Sequence, residues 1–263
     1  MESLKAFRTL ECTYEKAPEI FCAKYDQLRS EEMKEVYSQI YKPSDDTYLL
    51  IDAIYADLDN LAKSSPSRCL EIGPGSGLVT TTVALLLQKN YEEVYKNMKF
   101  YTLDVNEKAS EATLFTFAQC NDLPEFKIET ITGSFNDYNN KEDEKSPDLQ
   151  TDILIFNPPY VPCTDEEMEE ALEKKDVSAA WAGGYGGREV IDKLIPKIRD
   201  FLSPTGIFYF LLIEDNDIYD ITKSIIEAAN EGLLEDQPKL TFEPIMKREC
   251  LGERQVIIKF YFE

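Results

Sequence analysis

Asn157, Pro158, Pro159 and Tyr160 follow the apolar run Ile153-Leu154-Ile155-Phe156, and their types suit the capture of a planar nitrogen such as an amide or a ring amine. A planar NH2 carries two donors, so a site that holds it needs two converging acceptors. The side-chain carbonyl of Asn157 supplies one. The backbone carbonyl of Pro158 supplies the other, because proline has no N–H and a Pro-Pro pair confines the backbone to few shapes. Tyr160 adds an aromatic face and a hydroxyl. Proline pairs also end strands in ordinary turns, so the tetrapeptide alone leaves both readings open.

A second cluster narrows the choice. Glu71-Ile72-Gly73-Pro74-Gly75-Ser76-Gly77 lies between the apolar Cys69-Leu70 and a helical pattern over 78–88. Strand, glycine loop and helix N-terminus together make a nucleotide-binding turn, since glycines let the backbone approach a ligand closely. The spacing is Gly-x-Gly-x-Gly and not the dinucleotide Gly-x-Gly-x-x-Gly, which disfavours NAD. The Glu71 carboxylate would repel a pyrophosphate and attract an ammonium group. S-adenosylmethionine carries an ammonium and a cationic sulfonium. The next strand, over 99–103, ends in Asp104, placed to accept both ribose hydroxyls. Its other reading is a helix N-cap in capping-box spacing with Glu107.

Composition limits the classes of function. The 263 residues, 43% hydrophobic, suffice for one large α/β domain or a domain with an extension. A balance of 28 basic and 50 acidic residues, net −22, argues against stable nucleic-acid binding, which needs basic surface to neutralise phosphates. Six cysteines form no C-x-x-C pair and the chain has no histidine, so no zinc site is expected and the thiols read as reduced. Without histidine, Ser-His-Asp and Cys-His catalysis are excluded. Methyl transfer tolerates that absence, because its donor is already activated and catalysis can rest on alignment and exclusion of water. The longest apolar run, 206–213, is too short to span a membrane and the N-terminus lacks a signal-peptide pattern. A cytoplasmic protein is expected, with the nucleus also open and no membrane association.

The elements that position these residues follow from periodicity. Residues 1–40 read as an N-terminal extension whose clearest amphipathic piece is 31–36. Leu49, Leu50, Ala53, Ile54 and Leu58 form one face of a helix over 48–58, with Ser44 or Asp45 as its N-cap. A helix over 107–120, a strand near 127–131 and an acidic surface insertion at 136–150 precede the strand that ends at Asn157. Beyond it come a solvated acidic helix over 165–176, a helix over 189–201, a strand over 206–213, a helix over 218–229, and strands over 241–245 and 256–262. This order predicts an α/β doubly wound, mainly parallel sheet with an antiparallel C-terminal hairpin, occupying 41–263. Gly183, Gly184, Gly186 and Gly187 follow Trp181, the only tryptophan. They read as a loop bordering the pocket, with Arg188 as its brace.

Glu-Ile-Gly-Pro-Gly-Ser-Gly, Asp104 and Asn-Pro-Pro-Tyr in this order resemble the seven-strand S-adenosylmethionine-dependent methyltransferases, and within them the HemK-like release-factor glutamine methyltransferases. Tyr41-Lys42-Pro43-Ser44-Asp45-Asp46-Thr47 and Ala180-Trp181-Ala182-Gly183-Gly184 resemble the eukaryotic and archaeal branch. That branch methylates the glutamine of the Gly-Gly-Gln motif in the class-1 translation termination factor. The resemblance implies that Thr47, Glu71, Gly73, Asp104 and Asn157 contact the cofactor, with Gly75 and Gly77 shaping the loop. Asn157, Pro158, Pro159 and Tyr160 would hold the target amide. Where the family usually has an acidic residue and leucine against the adenine amine, this chain has Ser134-Phe135, so a serine hydroxyl or a backbone carbonyl takes that role. The resemblance also implies a heterodimer with a small zinc-binding methyltransferase activator, added at the edge strand near 126–131. Two rival readings are an adenine amino methyltransferase acting on DNA or RNA, which would use the same tetrapeptide, and a non-catalytic scaffold. Asn157→Ala is expected to abolish turnover while changing cofactor affinity by less than about tenfold, about 1.4 kcal/mol. Single-turnover assays and calorimetry on the variant check both halves.

Overall fold

The computed structural model describes residues 30–263 except 32, 121–122, 125–126, 139–148, 175–176 and 251. Most of the 1–40 extension and of the acidic 136–150 insertion therefore lies outside the described residues. One sheet with strand order β3-β2-β1-β4-β5-β7-β6 organises the rest. Strands β1 (Arg68–Ile72), β2 (Lys99–Asp104), β3 (Ile128–Thr132), β4 (Thr151–Phe156) and β5 (Leu202–Ile213) run parallel. Strands β6 (Leu240–Cys250) and β7 (Glu253–Phe262) form the closing antiparallel hairpin, with β7 laid against β5. The expected doubly wound sheet is thus the observed one.

Both faces of the sheet are covered, which is why its inner strands are apolar throughout and not alternating. Along β4, Ile153 and Ile155 enter one core and Leu154 and Phe156 the other. The first core is filled by α2 (Asp45–Ala56), α3 (Leu58–Lys63) and α4 (Leu78–Asn90), following the short α1 (Lys34–Ser38). The second is filled by α8 (Glu189–Leu194), α9 (Ile198–Phe201) and α10 (Ile218–Asn230). In chain order α5 (Glu92–Asn97), α6 (Glu107–Ala118) and α7 (Asp165–Lys174) come between these sets, with Tyr95 of α5 and Phe117 of α6 in the first core. Met33, Val36 and Ile40 pack on Ala109 and Ala112 of α6, and Asn106 Nδ2 donates to the Gln39 carbonyl at 2.8 Å. No helix of the described residues is long and apolar enough to cross a membrane.

Among the elements whose extent or burial differs from the sequence reading, three do so for definable reasons. The expected helix over 189–201 is split by a 3-10 turn at Ile195–Lys197, because Pro196 cannot donate within a continuous helix. Strand β5 begins at Leu202, ahead of the expected 206. Its pairing with β4 jumps from Thr151↔Leu202 to Ile153↔Ile207, and this irregularity accommodates Pro204. Helix α7 is not solvated all round: Met168 and Ala171 are buried and its acidic residues occupy the outer face.

A buried ionic cluster joins the first helical layer to the hairpin. Lys259 Nζ lies 2.8 Å from Asp57 Oδ2 and 3.3 Å from Glu243, and the Tyr209 hydroxyl donates to Asp57 at 2.7 Å. Burial, then the adjacent Asp57, holds the Tyr209 phenol well above its usual range, so it stays a donor. Removing one member strands the others in a dry interior. Asp57→Ala is expected to lower stability by about 3 kcal/mol, read as a lower urea midpoint with an unchanged slope.

Candidate active site

A cavity of about 440 Å³ opens at the carboxyl ends of the parallel strands, where the strand order reverses between β1 and β4. Open α/β sheets bind ligands at this point because the following loops diverge to opposite faces there. Gly73, Gly75, Asp104, Ser134, Phe135, Asn157, Pro158, Pro159 and Tyr160 line it. Thr47, Glu71 and Gly77 are not among the lining residues; each stands one layer behind. The sequence-predicted residues are thus brought together in two shells.

The glycine loop turns where β1 ends. Gly73, Gly75 and Gly77 have φ of 66°, 54° and 73°, the left-handed region that side chains disfavour. A Cβ on Gly77 would lie 2.6 Å from Thr113 Cα, so this glycine serves the close approach of α4 to α6. Glu71 is buried and accepts the Thr80 N–H at 2.9 Å and the Thr80 hydroxyl. Burial raises its pKa to about 7, against the lowering by the two Thr80 hydrogen bonds and with a further push from Asp104. Asp104 accepts the N–H groups of Asn106 at 2.9 Å and Gly75 at 3.4 Å. Burial raises it to about 6 despite these bonds. Asp104 is not the cap of α6. That position belongs to Asn106, whose side chain accepts the Lys108 N–H at 2.9 Å.

Asp46 is the functional residue that sequence reasoning missed. It is 2% exposed and lines the cavity. Its Oδ2 accepts from the Tyr41 hydroxyl at 3.0 Å, from Asn157 Nδ2 at 3.0 Å and from the Tyr160 hydroxyl at 3.3 Å. Its Oδ1 accepts from the Thr47 N–H at 2.6 Å. The carboxylate dictates the orientation of Asn157, because only the NH2 end of an amide can face an acceptor-only group. Asn157 Oδ1 is left buried with no hydrogen-bond partner among the described residues. Burial, then Asp46, raises both the Tyr41 and the Tyr160 phenols, which keeps them protonated donors. The available sequence signal was an acidic pair in the first helical turn beyond the Ser44 cap, in a segment facing the Asn-Pro-Pro-Tyr strand.

The glycine-rich loop clamps the tetrapeptide. Val161 donates to the Trp181 carbonyl at 3.0 Å and Gly183 to the Val161 carbonyl at 2.8 Å. Asn216 Nδ2 bridges the carbonyls of Tyr160 and Gly186, each at 3.1 Å. A Cβ on Gly187 would lie 1.9 Å from the Tyr160 oxygen, so only glycine permits this contact. Arg188 braces the loop through Asp192 and Asp220, both at 2.9 Å. Trp181, Met168 and Leu172 complete the cavity on this side.

The residues present fit S-adenosylmethionine. Among the described residues Asp45, Asp46, Asp104 and Glu253 line the cavity against a single cation, Lys193, a balance that favours a cationic ligand. Gly73 and Gly75 would hold its amino-acid end and Asp104 its ribose. Ser134 Oγ caps the turn at Phe135–Asp137 by accepting the Asn136 N–H at 3.2 Å, and the Ser134 carbonyl accepts the Asp137 N–H at 2.9 Å. Both Ser134 oxygens are therefore engaged, with Phe135 and Asn136 lining the cavity beside them.

Proton linkage makes this site pH-sensitive. From its usual 4.5 up to about 7, Glu71 keeps a proton in the folded chain that the unfolded chain has released. Stability of the ligand-free protein therefore falls as pH rises through that window. A cationic ligand selects the ionised carboxylates, so binding releases protons and strengthens over the same interval. Cofactor affinity is expected to rise several-fold between about pH 5.5 and 7.5 and then level off. Calorimetric titrations at stepped pH check this, and a flat profile would contradict it.

No protein-family model matches the chain. Over 196 residues it is 35% identical to methyltransferase HEMK2 of Homo sapiens, covering 74% of this chain and 82% of that protein. Over 243 residues it is 32% identical to the eRF1 methyltransferase catalytic subunit mtq2 of Schizosaccharomyces pombe, covering 89% and 93% respectively. Its fold matches a chain in a solved structure of the E. cuniculi Mtq2-Trm112 complex. That match has a TM-score of 0.53 and 24% identity, covering 85% of this chain and 99% of that one. With the glycine loop, Asp104 and the Asn-Pro-Pro-Tyr cluster assembled around one cavity, the chain belongs to the HemK-like family of S-adenosylmethionine-dependent methyltransferases that includes HEMK2 and mtq2.

Proposed function

We propose that the chain methylates the side-chain amide nitrogen of the glutamine in the Gly-Gly-Gln motif of the class-1 translation termination factor. The observation that carries this reading is the buried, unpartnered Oδ1 of Asn157, held in place by Asp46. The name of the mtq2 relative, an eRF1 methyltransferase catalytic subunit, supports the same substrate.

A glutamine amide nitrogen is a poor nucleophile because its lone pair is delocalised into the carbonyl. Asn157 Oδ1 accepts one N–H of that amide and the Pro158 carbonyl the other, which orients the nitrogen. Asp46, hydrogen-bonded to Asn157, Tyr41 and Tyr160, places negative charge beside the position where nitrogen becomes cationic. When bound, S-adenosylmethionine supplies a methyl group already activated by its cationic sulfur. Tyr160, Trp181 and α7 line one side of the cavity and limit the access of water to the reacting groups. With no histidine in the chain, the proton lost from nitrogen leaves to solvent. An adenine amine would fit the same acceptors, but a site lined by Asp45, Asp46, Asp104 and Glu253 and a net charge of −22 repel a phosphate backbone.

The reading includes a small zinc-binding activator as partner. Among the described residues strand β3 has one neighbour, β2, and an open strand edge invites pairing with another chain. The E. cuniculi relative is described as a complex with Trm112. The reading also takes 1–40 as an extension on a catalytic unit spanning 41–263, in the cytoplasm or nucleus. The chain should be incubated with labelled S-adenosylmethionine, alone and with a Trm112-type activator, on termination factor, on its Gln→Ala variant in Gly-Gly-Gln, and on DNA or RNA. Label is expected on intact termination factor alone, with activity and solubility greater in the activator's presence. Label on nucleic acid, or on the Gln→Ala factor, would overturn the assignment.

A further inference from the structure

Gln255 occupies the start of β7, opposite Ile213 of β5 and Arg248 of β6. Because β7 runs antiparallel to β5, its start lies at the edge where β4 and β5 end and the cavity opens. Gln255 lines that cavity, is 4% exposed, and its Oε1 is buried with no hydrogen-bond partner among the described residues. Alternation along the strand puts it on the face of Ile257, which packs in the same core as α2. Asp46 stands at the N-terminus of that helix.

A buried acceptor without a donor opposes folding. Val256, Ile257 and Ile258 follow directly and pack without polar groups, so an apolar side chain would suit position 255 better if packing were its only task. Strand order tells which ligand is served. The loops bearing Gly73, Gly75, Asp104 and Ser134 follow β1, β2 and β3, all on one side of β4 and Asn157; Gln255 lies two strands away on the other side. The cofactor half and the half that holds Gln255 are therefore separate.

We propose that Gln255 is a substrate-binding residue whose Oε1 accepts a backbone N–H from the peptide segment carrying the target amide. The inference rests on the methyltransferase reading above. A neutral amide oxygen suits a neutral peptide donor, whereas a cationic side chain would be drawn to the Asp45 and Glu253 carboxylates that line the same cavity. Glycines beside the target leave their N–H groups unobstructed by side chains. Asn157 and Pro158 already take both donors of the target NH2, so Gln255 reads the chain that presents it.

The test compares wild type with Gln255→Met, which keeps the length of the side chain and removes the acceptor. KM for termination factor is expected to rise about tenfold, with kcat and S-adenosylmethionine affinity within about twofold of wild type. The thermal midpoint of the variant is expected to stay within about 2 °C of wild type or to rise. A purely structural glutamine would instead lower the midpoint and leave KM alone. An unchanged KM beside an active wild type, or a midpoint lowered by several degrees, overturns this inference alone. A wild-type chain that methylates no termination factor even with the activator present overturns the functional reading and the proposed ligand together.

Discussion

The active-site end of this molecule depends on one buried carboxylate. Asp46 brings a negative charge into a site where it is 2% exposed, at a desolvation cost that only close donors can offset. Tyr41, Asn157, Tyr160 and Thr47 provide them, each within 3.3 Å. In return the carboxylate removes the ambiguity of the Asn157 amide. An isolated asparagine in a pocket is free to present its oxygen or its nitrogen; beside Asp46 it presents oxygen to the cavity's ligand. A catalytic constellation that must recognise a planar NH2 needs that choice made before the substrate arrives.

The backbone around this network is held just as tightly. Two close approaches, Gly77 against Thr113 and Gly187 against Tyr160, set how α4 meets α6 and how the glycine-rich loop meets the tetrapeptide. Asn216 then ties that loop to Tyr160 from a third segment. These contacts join pieces distant in sequence into one rim, so the acceptor groups are carried by rigid elements and not by free loops. On the cofactor side burial raises the carboxyl of the buried Glu71 to about 7 and that of the half-buried Asp104 to about 6, and a cation in the cavity favours their ionised forms. The site gives up some ligand-free stability for charge complementarity with the bound state.

Much of the architecture was legible because periodicity and turn chemistry are local. The parallel sheet, its closing hairpin, the glycine turn and the strand ending at Asn157 all follow from apolar runs punctuated by glycine and proline. The extents of β5 and of the helix after Arg188 were not. A proline-bearing bulge and a 3-10 break at Pro196 are settled by pairing with neighbours. Acidic residues dominate helix α7 and make it read as fully solvated, while the side that touches the cavity is carried by Met168, Ala171 and Leu172.

By itself the sequence determined the class of chemistry. The residue types at Asn157 to Tyr160, the glycine spacing after Glu71 and the absence of histidine are chemical facts that no fold can change. Tertiary structure decided which groups meet. Asp46 lies 111 residues from Asn157, and Gln255 reaches the cavity only because β7 runs antiparallel to β5. Thr47, Glu71 and Gly77 stand behind the residues that line the cavity. The reason is physical: hydrogen-bond partners and burial depend on distances in space, and those distances exist only once the sheet has brought the strand ends to one edge.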